Sequence, residues 1–191
     1  MKHIAFLTGL LALAAPAAIA QTSTWVSDPM HSEVDFSITH MSVSKVHGRF
    51  GQVKATIVYN ASDVTKSTVT ATIGIDTVDT GVDARNTHLK SADFFDAANI
   101  PVASFTSTSV VKNGNRLTVT GNLTLHGVTK PVVLDVEGPA TPVSDPKGNL
   151  HSGFSATTTI DRTAFGIGSK FPAAMIGDQV TLDIELEVIK Q

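Results

Sequence analysis

Histidine has the widest chemical use of the side chains in this sequence, because it binds metals and titrates near neutral pH. The 191 residues include seven histidines and no cysteine, which excludes thiol catalysis, iron–sulfur clusters and cysteine-bound zinc. There is no HExxH motif and no pair of histidines at i and i+2, and a catalytic zinc site needs several convergent ligands. We therefore predict no metal site. We expect His31, His40 and His88 to form hydrogen bonds near the mouth of the fold or to contact the polar end of a ligand.

Motifs of covalent and cofactor-dependent catalysis are also absent from the sequence. Serines and carboxylates are numerous, but no G-x-S-x-G motif places a serine on a nucleophile elbow. Gly166 and Gly168 do not open a helix after a strand, as a dinucleotide-binding loop must. We predict no catalytic residues and interpret the protein as a non-enzyme.

Arg85 is the cation with the clearest possible ligand role. A guanidinium can bind a carboxylate or a pyrophosphate through two parallel hydrogen bonds. The alternative, which the sequence favours, is a surface ion pair with Asp93 or Asp96.

Phe94 and Phe95 belong to a stretch, residues 85–101, that does not alternate like the rest of the chain. Adjacent residues of a strand point to opposite faces, so these two phenylalanines would not share one core there. On a one-turn helical or irregular element they can spread across one apolar surface. With Thr80 or Asp83 as N-cap, we predict a short helical insertion that closes or lines one end of a barrel or sandwich.

The remaining chain alternates apolar and polar residues with period two, which is typical of half-buried antiparallel strands. Turn signals recur about every ten residues. We predict an all-β fold of about eight strands in one domain, residues 21–191. Small residues on or near the strands leave space inside and favour a closed eight-stranded antiparallel barrel over a sandwich. They are Ala55, Ala71, Gly74, Ala103, Gly121 and Ala156.

Residues 1–20 have the organisation of a secretory signal peptide. Lys2 and His3 precede an apolar run, and Ala18-Ile19-Ala20 forms an A-x-A cleavage site. We predict cleavage after Ala20 and export, with no stable membrane insertion because no other stretch is long enough to span a bilayer. The formal net charge of −3 and the lack of a basic patch argue against a nucleic-acid partner.

Several motifs, in order along the chain, resemble those of the YceI-like family, which are periplasmic, lipocalin-like, polyisoprenoid-binding proteins of bacteria. The motifs are Asp28-x-x-His31-Ser32-x-x-x-Phe36 with His40, Gly48-x-Phe50, Arg85-x-x-His88-Leu89-x-Ser91-x-Asp93-Phe94-Phe95-Asp96, Pro101-x-x-x-Phe105, Gly121-x-Leu123-Thr124-Leu125-x-Gly127-x-Thr129-x-Pro131-Val132 and Arg162-x-x-Phe165-Gly166. One position departs from the pattern, since Asn86 stands where members often have aspartate.

The resemblance implies an eight-stranded lipocalin-like barrel whose apolar tunnel holds a long isoprenoid, a quinone or a similar amphiphilic lipid. It also implies a periplasmic location, a role in storage, transport or stress response, and a homodimer. It supplies no catalytic residues and no cofactor other than the bound lipid. Two other functions stay open. One is an enzyme or metal-dependent protein that acts on a lipid-like substrate at the barrel mouth. The other is a structural or interaction protein with a filled barrel.

Twelve residues are candidates for ligand contact. A prenyl chain needs an apolar lining and a polar end, and aromatic side chains in the irregular segments must cover the ends of a barrel. The alternative for each apolar member is ordinary core packing. The set is Phe36, Ile38, His40, Phe50, Arg85, His88, Phe94, Phe95, Phe105, Phe165, Phe171 and Met175.

Overall fold

The computed structural model describes residues 22–191, which contain ten β-strands and one short α-helix. The strands are β1 (Thr22–His40), β2 (Ser44–Phe50), β3 (Lys54–Asn60), β4 (Thr68–Gly74), β5 (Val102–Asn113), β6 (Arg116–Leu125), β7 (Val128–Glu137), β8 (Val143–Ser144), β9 (Leu150–Asp161) and β10 (Ile176–Lys190). Helix α1 is Asp83–Lys90. The predicted signal peptide and its cleavage site lie outside the described residues. None of the helices in residues 22–191 has the length and apolar composition needed to cross a bilayer.

Eight of the strands close into an antiparallel barrel, which confirms the predicted fold. Their order is β10-β1-β3-β4-β5-β6-β7-β9, and β9 pairs again with β10 to complete the circle. Closure leaves no open sheet edge in the barrel wall. The short strands β2 and β8 are additions, pairing with the second half of β1 and with the start of β9.

The chain between β2 and β3 differs from the expectation. The alternation predicts one strand over residues 46–59, bent at Gly48 and Gly51. The structure instead ends β2 at Phe50 and begins β3 at Lys54, and Gln52 between them has a positive φ of 56°. Both strands still pair with β1, β2 with its second half and β3 with its first half. The bend therefore divides the predicted strand into two consecutive segments.

Two serines complete the hydrogen bonding where β1 bulges between Ser27 and Ser32. The Ser27 hydroxyl donates to the Val53 carbonyl at 2.7 Å and accepts from the Ala55 amide at 2.8 Å. The Ser32 hydroxyl donates to the Glu187 carbonyl at 3.1 Å and accepts from the Glu187 amide at 3.2 Å. Because buried backbone groups need partners, these side chains stabilise a bend that breaks the regular ladder.

Buried apolar side chains occupy the barrel interior along its whole length. Beside α1, the buried side chains gather around Phe36, Phe50 and Phe165. Toward the opposite end they gather around Leu117 and, in a third cluster, around Trp25. The inward faces predicted from the alternation therefore supply the core, and six phenylalanines lie in or against the cluster at the α1 end.

Candidate functional site

One end of the barrel is covered by a lid, which we define as residues 83–100 and which contains α1. The N-cap of α1 is Val82, with no side-chain capping bond, and not Thr80 or Asp83 as the sequence suggested. Asn86 provides the attachment instead. Its amide oxygen accepts from the backbone amide and the hydroxyl of Thr80 at 2.8 and 2.7 Å, and its amide nitrogen donates to Asp79 at 3.0 Å. The amide of Asn86 thus ties the first turns of the lid to the chain before it.

The lid directs its two adjacent phenylalanines into the same apolar region, as predicted for an irregular element. Phe95 packs edge-on against Phe50, with ring centroids 5.5 Å apart. Phe94 stacks on Phe171 at 5.0 Å with an interplanar angle of 15°, and the His88 ring meets Phe94 edge-on at 5.0 Å. Such aromatic pairs stabilise the packing beyond the area that they bury.

A second irregular segment, residues 163–175, meets the lid over the barrel end. We call it the Arg162 loop, after the residue that directly precedes it. Arg162 is only 2% exposed and donates to six acceptors. The acceptors are the carbonyls of Ile167, Gly168, Phe171, Ile176 and Gly177 and the carboxylate of Asp178, at 2.7 to 3.0 Å. One guanidinium therefore joins this loop to the start of β10.

Between the lid, the Arg162 loop and the barrel wall lies a cavity of about 380 Å³, which we call the large cavity. Its lining is almost entirely apolar. Ten of the twelve candidate residues line it: Phe36, Ile38, His40, Phe50, Arg85, His88, Phe94, Phe95, Phe171 and Met175. The other lining residues come mainly from inward strand positions that the alternation marks as core but does not assign to a site. They include Val34, Ile73, Leu123, Leu125, Ile160, Val180 and Leu182.

Two of the twelve candidates do not line the large cavity. Phe165 is 2% exposed and packs in the core, and its carbonyl accepts a hydrogen bond from Nδ1 of His126 at 3.0 Å. Phe105 lies deeper in the barrel, where it lines a separate cavity of about 70 Å³, the small cavity. For these two positions, the motif predicted an aromatic residue inside the barrel but did not predict which cavity or core cluster it contacts.

Arg85 lies at the wall of the large cavity without the ion pair favoured from the sequence, so that expectation was wrong. Its Nε donates to the Thr80 hydroxyl at 2.8 Å and its Nη2 to the Thr80 carbonyl at 2.7 Å. Asp93 pairs with Lys170, whose hydrogen bond holds the pKa of the Asp93 carboxyl below its usual value. Asp96 accepts from the side chain of Asn99. Among residues 22–191, no carboxylate lies within ion-pair distance of Arg85.

His31 is not at the mouth, contrary to the expectation, but on the bulge of β1. Its Nδ1 lies 2.9 Å from an Asp28 carboxylate oxygen and 3.9 Å from one of Glu187. The other oxygen of Glu187 lies 2.7 Å from Nδ1 of His151, whose Nε2 is 3.4 Å from Asp145. In the described part of the chain, Asp28, His31 and Glu187 are the one group of three metal-ligating side chains that converge.

The carboxylates in this surface cluster favour the charged form of both imidazoles. The hydrogen bond to Asp28 raises the pKa of His31, and the hydrogen bond to Glu187 raises the pKa of His151. Hydrogen bonds from Asn149 are the main cause that lowers the pKa of Asp145 to about 2. The cluster is therefore a surface network in which carboxylates face imidazoles, held by groups on three strands and a loop.

The fold and the cavity define a class of protein: a closed, lipocalin-like antiparallel barrel that encloses an apolar cavity under a helical lid. Within this class, the chain belongs to the YceI-like family. The family model described as the YceI-like domain matches residues 25–188, which is nearly the whole described chain.

Known proteins resemble the chain over most of its length. A UPF0312 protein of Pectobacterium atrosepticum is 36% identical over 193 residues, which cover 100% of this chain and 98% of that one. The crystal structure of the Campylobacter jejuni YceI protein matches with a TM-score of 0.71 and 30% identity, over 81% of this chain and 90% of that one. A polyisoprenoid-binding domain from Saccharophagus degradans shares the fold, with a TM-score of 0.65 and 17% identity over 87% of this chain and 98% of that one.

Replacing Arg162 with methionine is expected to destabilise the protein strongly. Arg162→Met removes a buried donor from five carbonyls and from Asp178, so the free energy of unfolding should fall by about 3 kcal/mol or more in urea denaturation. Arg116→Met is the matched control, because Arg116 pairs with Asp135 and Glu137 on an exposed surface, where solvent screens ion pairs, and its loss should cost much less stability. Equal losses in the two variants would contradict the role assigned to Arg162.

The surface network predicts a pH dependence of stability. A histidine whose pKa is raised on folding stabilises the protein fully below its unfolded pKa of about 6.5. That contribution is lost as the pH rises through the folded pKa, so the wild type should lose stability as the pH rises above about 6.5. Glu187→Gln should reduce this loss and lower the pKa of His151 in an NMR titration.

Glu185→Gln is the control for that titration, because Glu185 lies on the same strand as Glu187 but accepts from Ser155 of β9 and forms no ion pair with either histidine. It should leave the pKa of His151 unchanged. A His151 pKa at or below about 6.5 in the wild type would show that Glu187 does not stabilise the imidazolium.

Proposed function

We propose that this protein binds a long-chain isoprenoid or a similar amphiphilic lipid, with the chain in the large cavity and the polar head at its mouth. The observation that supports this most directly is the cavity itself. Its volume of about 380 Å³ lies within the range of about 300 to 1,000 Å³ usual for small-molecule sites. Its almost wholly apolar lining suits a ligand that offers hydrogen bonds at one end only.

Arg85, His40 and His88 are the groups we assign to the ligand head. All three line the large cavity, and Arg85 has no carboxylate partner in the described chain. Its remaining guanidinium donors can bind a carboxylate, a pyrophosphate or the carbonyl of a quinone ring. Thr80 holds the guanidinium in place through two hydrogen bonds, which lowers the entropy cost of binding an anion there.

The chain supplies most of the affinity in this proposal. Each buried methylene contributes about 0.8 kcal/mol, so a few isoprene units offset the cost of ordering the ligand. Apolar contacts of this kind distinguish poorly between chains of similar width. We therefore expect broad binding of amphiphiles, with discrimination mainly by chain length and head group.

The family supports binding as the function. The Saccharophagus degradans domain that shares this fold is a polyisoprenoid-binding domain. A filled structural barrel does not account for the large cavity, and no observation favours catalysis over binding. Export after cleavage at Ala20, a periplasmic role in storage, transport or stress response, and a homodimer complete the proposal. Light scattering of the mature chain tests the dimer.

The test of the ligand class is native mass spectrometry of the mature protein purified from the periplasm of its own host, followed by organic extraction. We expect a discrete bound mass that extracts as a prenyl lipid or a related amphiphile. A protein that carries no lipid and also fails to take up added prenylquinone would contradict the proposal.

Replacing Arg85 should distinguish the contribution of the ligand head group to binding from the contribution of the chain. Arg85→Gln should weaken binding of geranylgeranyl pyrophosphate about 10- to 100-fold, because it removes a charged hydrogen-bond donor. Binding of geranylgeraniol should change less than about threefold, since the alcohol carries no charge. Lys112→Gln, on an exposed part of β5, is the control for loss of a positive charge. Equal weakening for both ligands would contradict the assignment of Arg85 to the head group.

A further inference from the structure

The small cavity lies directly beyond the large one in the same barrel. On β10, Leu182 lines the large cavity, and Ile184, the next inward residue, lines the small one. On β6, Leu123 lines the large cavity and Val119 the small one, with Gly121 between them. Two apolar spaces are therefore separated by one layer of inward side chains.

Phe105 fills this layer. Its neighbours across the two adjacent ladders are Ala71 and Leu123. Its ring lies on Gly121, where an added Cβ would be only 2.3 Å from the ring atom Cζ. Ala71 and Gly121 leave the layer open, and the phenyl ring occupies the space that they leave.

We propose that Phe105 sets the length of the chain that the barrel accepts, by filling the layer between the large cavity and the small one. This inference rests on the proposed function, since it concerns the inner end of the same lipid site. A chain that enters from the lid advances until it reaches the layer of Phe105. Chain atoms beyond that length stay at the mouth and gain no apolar burial.

Removing the ring should join the two cavities. The small cavity already holds about 70 Å³ of apolar space, lined by residues such as Val110, Leu117 and Ile184. The volume of the phenyl ring would be added to it. Each further methylene buried there should raise the affinity by roughly fourfold before ordering costs. Chains too long for the wild-type cavity should gain most.

The experiment measures dissociation constants for prenols of 10, 15, 20 and 25 carbons by calorimetry. In the wild type, affinity should rise with length and then level off. In Phe105→Ala the levelling should occur one isoprene unit later, with a gain of at least about tenfold for the longer prenols. The shortest prenol should bind within about threefold of the wild type, which also shows that the variant is folded. Phe105→Leu, which keeps more of the core packed, should shift the profile in the same direction by less.

Phe154→Leu is the matched control, because Phe154 lines the small cavity as Phe105 does, but it lies against Gly138 and not against Gly121 in the layer between the cavities. It should enlarge the small cavity without opening the layer, and it should leave the length profile unchanged. If the wild type binds prenols but neither Phe105 variant alters the profile, the inference is wrong and the proposed function stands. A shift of the same size in Phe154→Leu would also overturn it, since loosened packing would then be the cause. A wild type that binds no prenol overturns the proposed function, and this inference with it.

Discussion

The architecture of the site depends on one buried guanidinium. The Arg162 loop has no regular structure apart from a 3₁₀ turn, Thr163–Phe165, so many of its carbonyls lack ladder partners. Unpaired carbonyls in an apolar interior cost free energy, and Arg162 reduces that cost by donating to three carbonyls of the loop, to two carbonyls of β10 and to Asp178. Because its donors point into the protein, Arg162 adds a cation to the cavity wall with almost no polar surface. The loop can therefore cover an apolar cavity.

The lid and the Arg162 loop hold each other in place across the barrel end. Phe94 stacks on Phe171, and Asp93 forms an ion pair with Lys170 at the surface. Of the two contacts, the aromatic pair should contribute more, because an exposed ion pair is screened by solvent. The lid and the Arg162 loop, which are distant in sequence, thus together form one cover over the barrel end, which we call the roof. The cavity below it exists because the roof spans the barrel end without filling it.

Small residues decide how the space inside the barrel is divided. Gly48 admits the ring of Phe36, since an added Cβ would lie 2.4 Å from the Phe36 atom Cζ, and Gly121 admits Phe105 in the same way. At each glycine, the aromatic ring of a residue on the neighbouring strand occupies the space that a side chain would otherwise fill. The interior is therefore shaped by pairs that consist of a glycine and a phenylalanine on adjacent strands. The two cavities are the spaces that the rings do not fill.

The sequence by itself determined most of the strands, the barrel and the irregular lid, because burial of one sheet face requires period two and adjacent phenylalanines cannot share that face. It also brought ten of the twelve candidate residues to one end, since the motifs concentrate aromatics there. Only the tertiary structure decided which partners the polar groups take. Arg85 bonds to Thr80 and not to Asp93, and Ser32 bonds to Glu187, 155 residues away. Periodicity reports which face is buried, but register, bulges and closure of the barrel determine which buried groups meet.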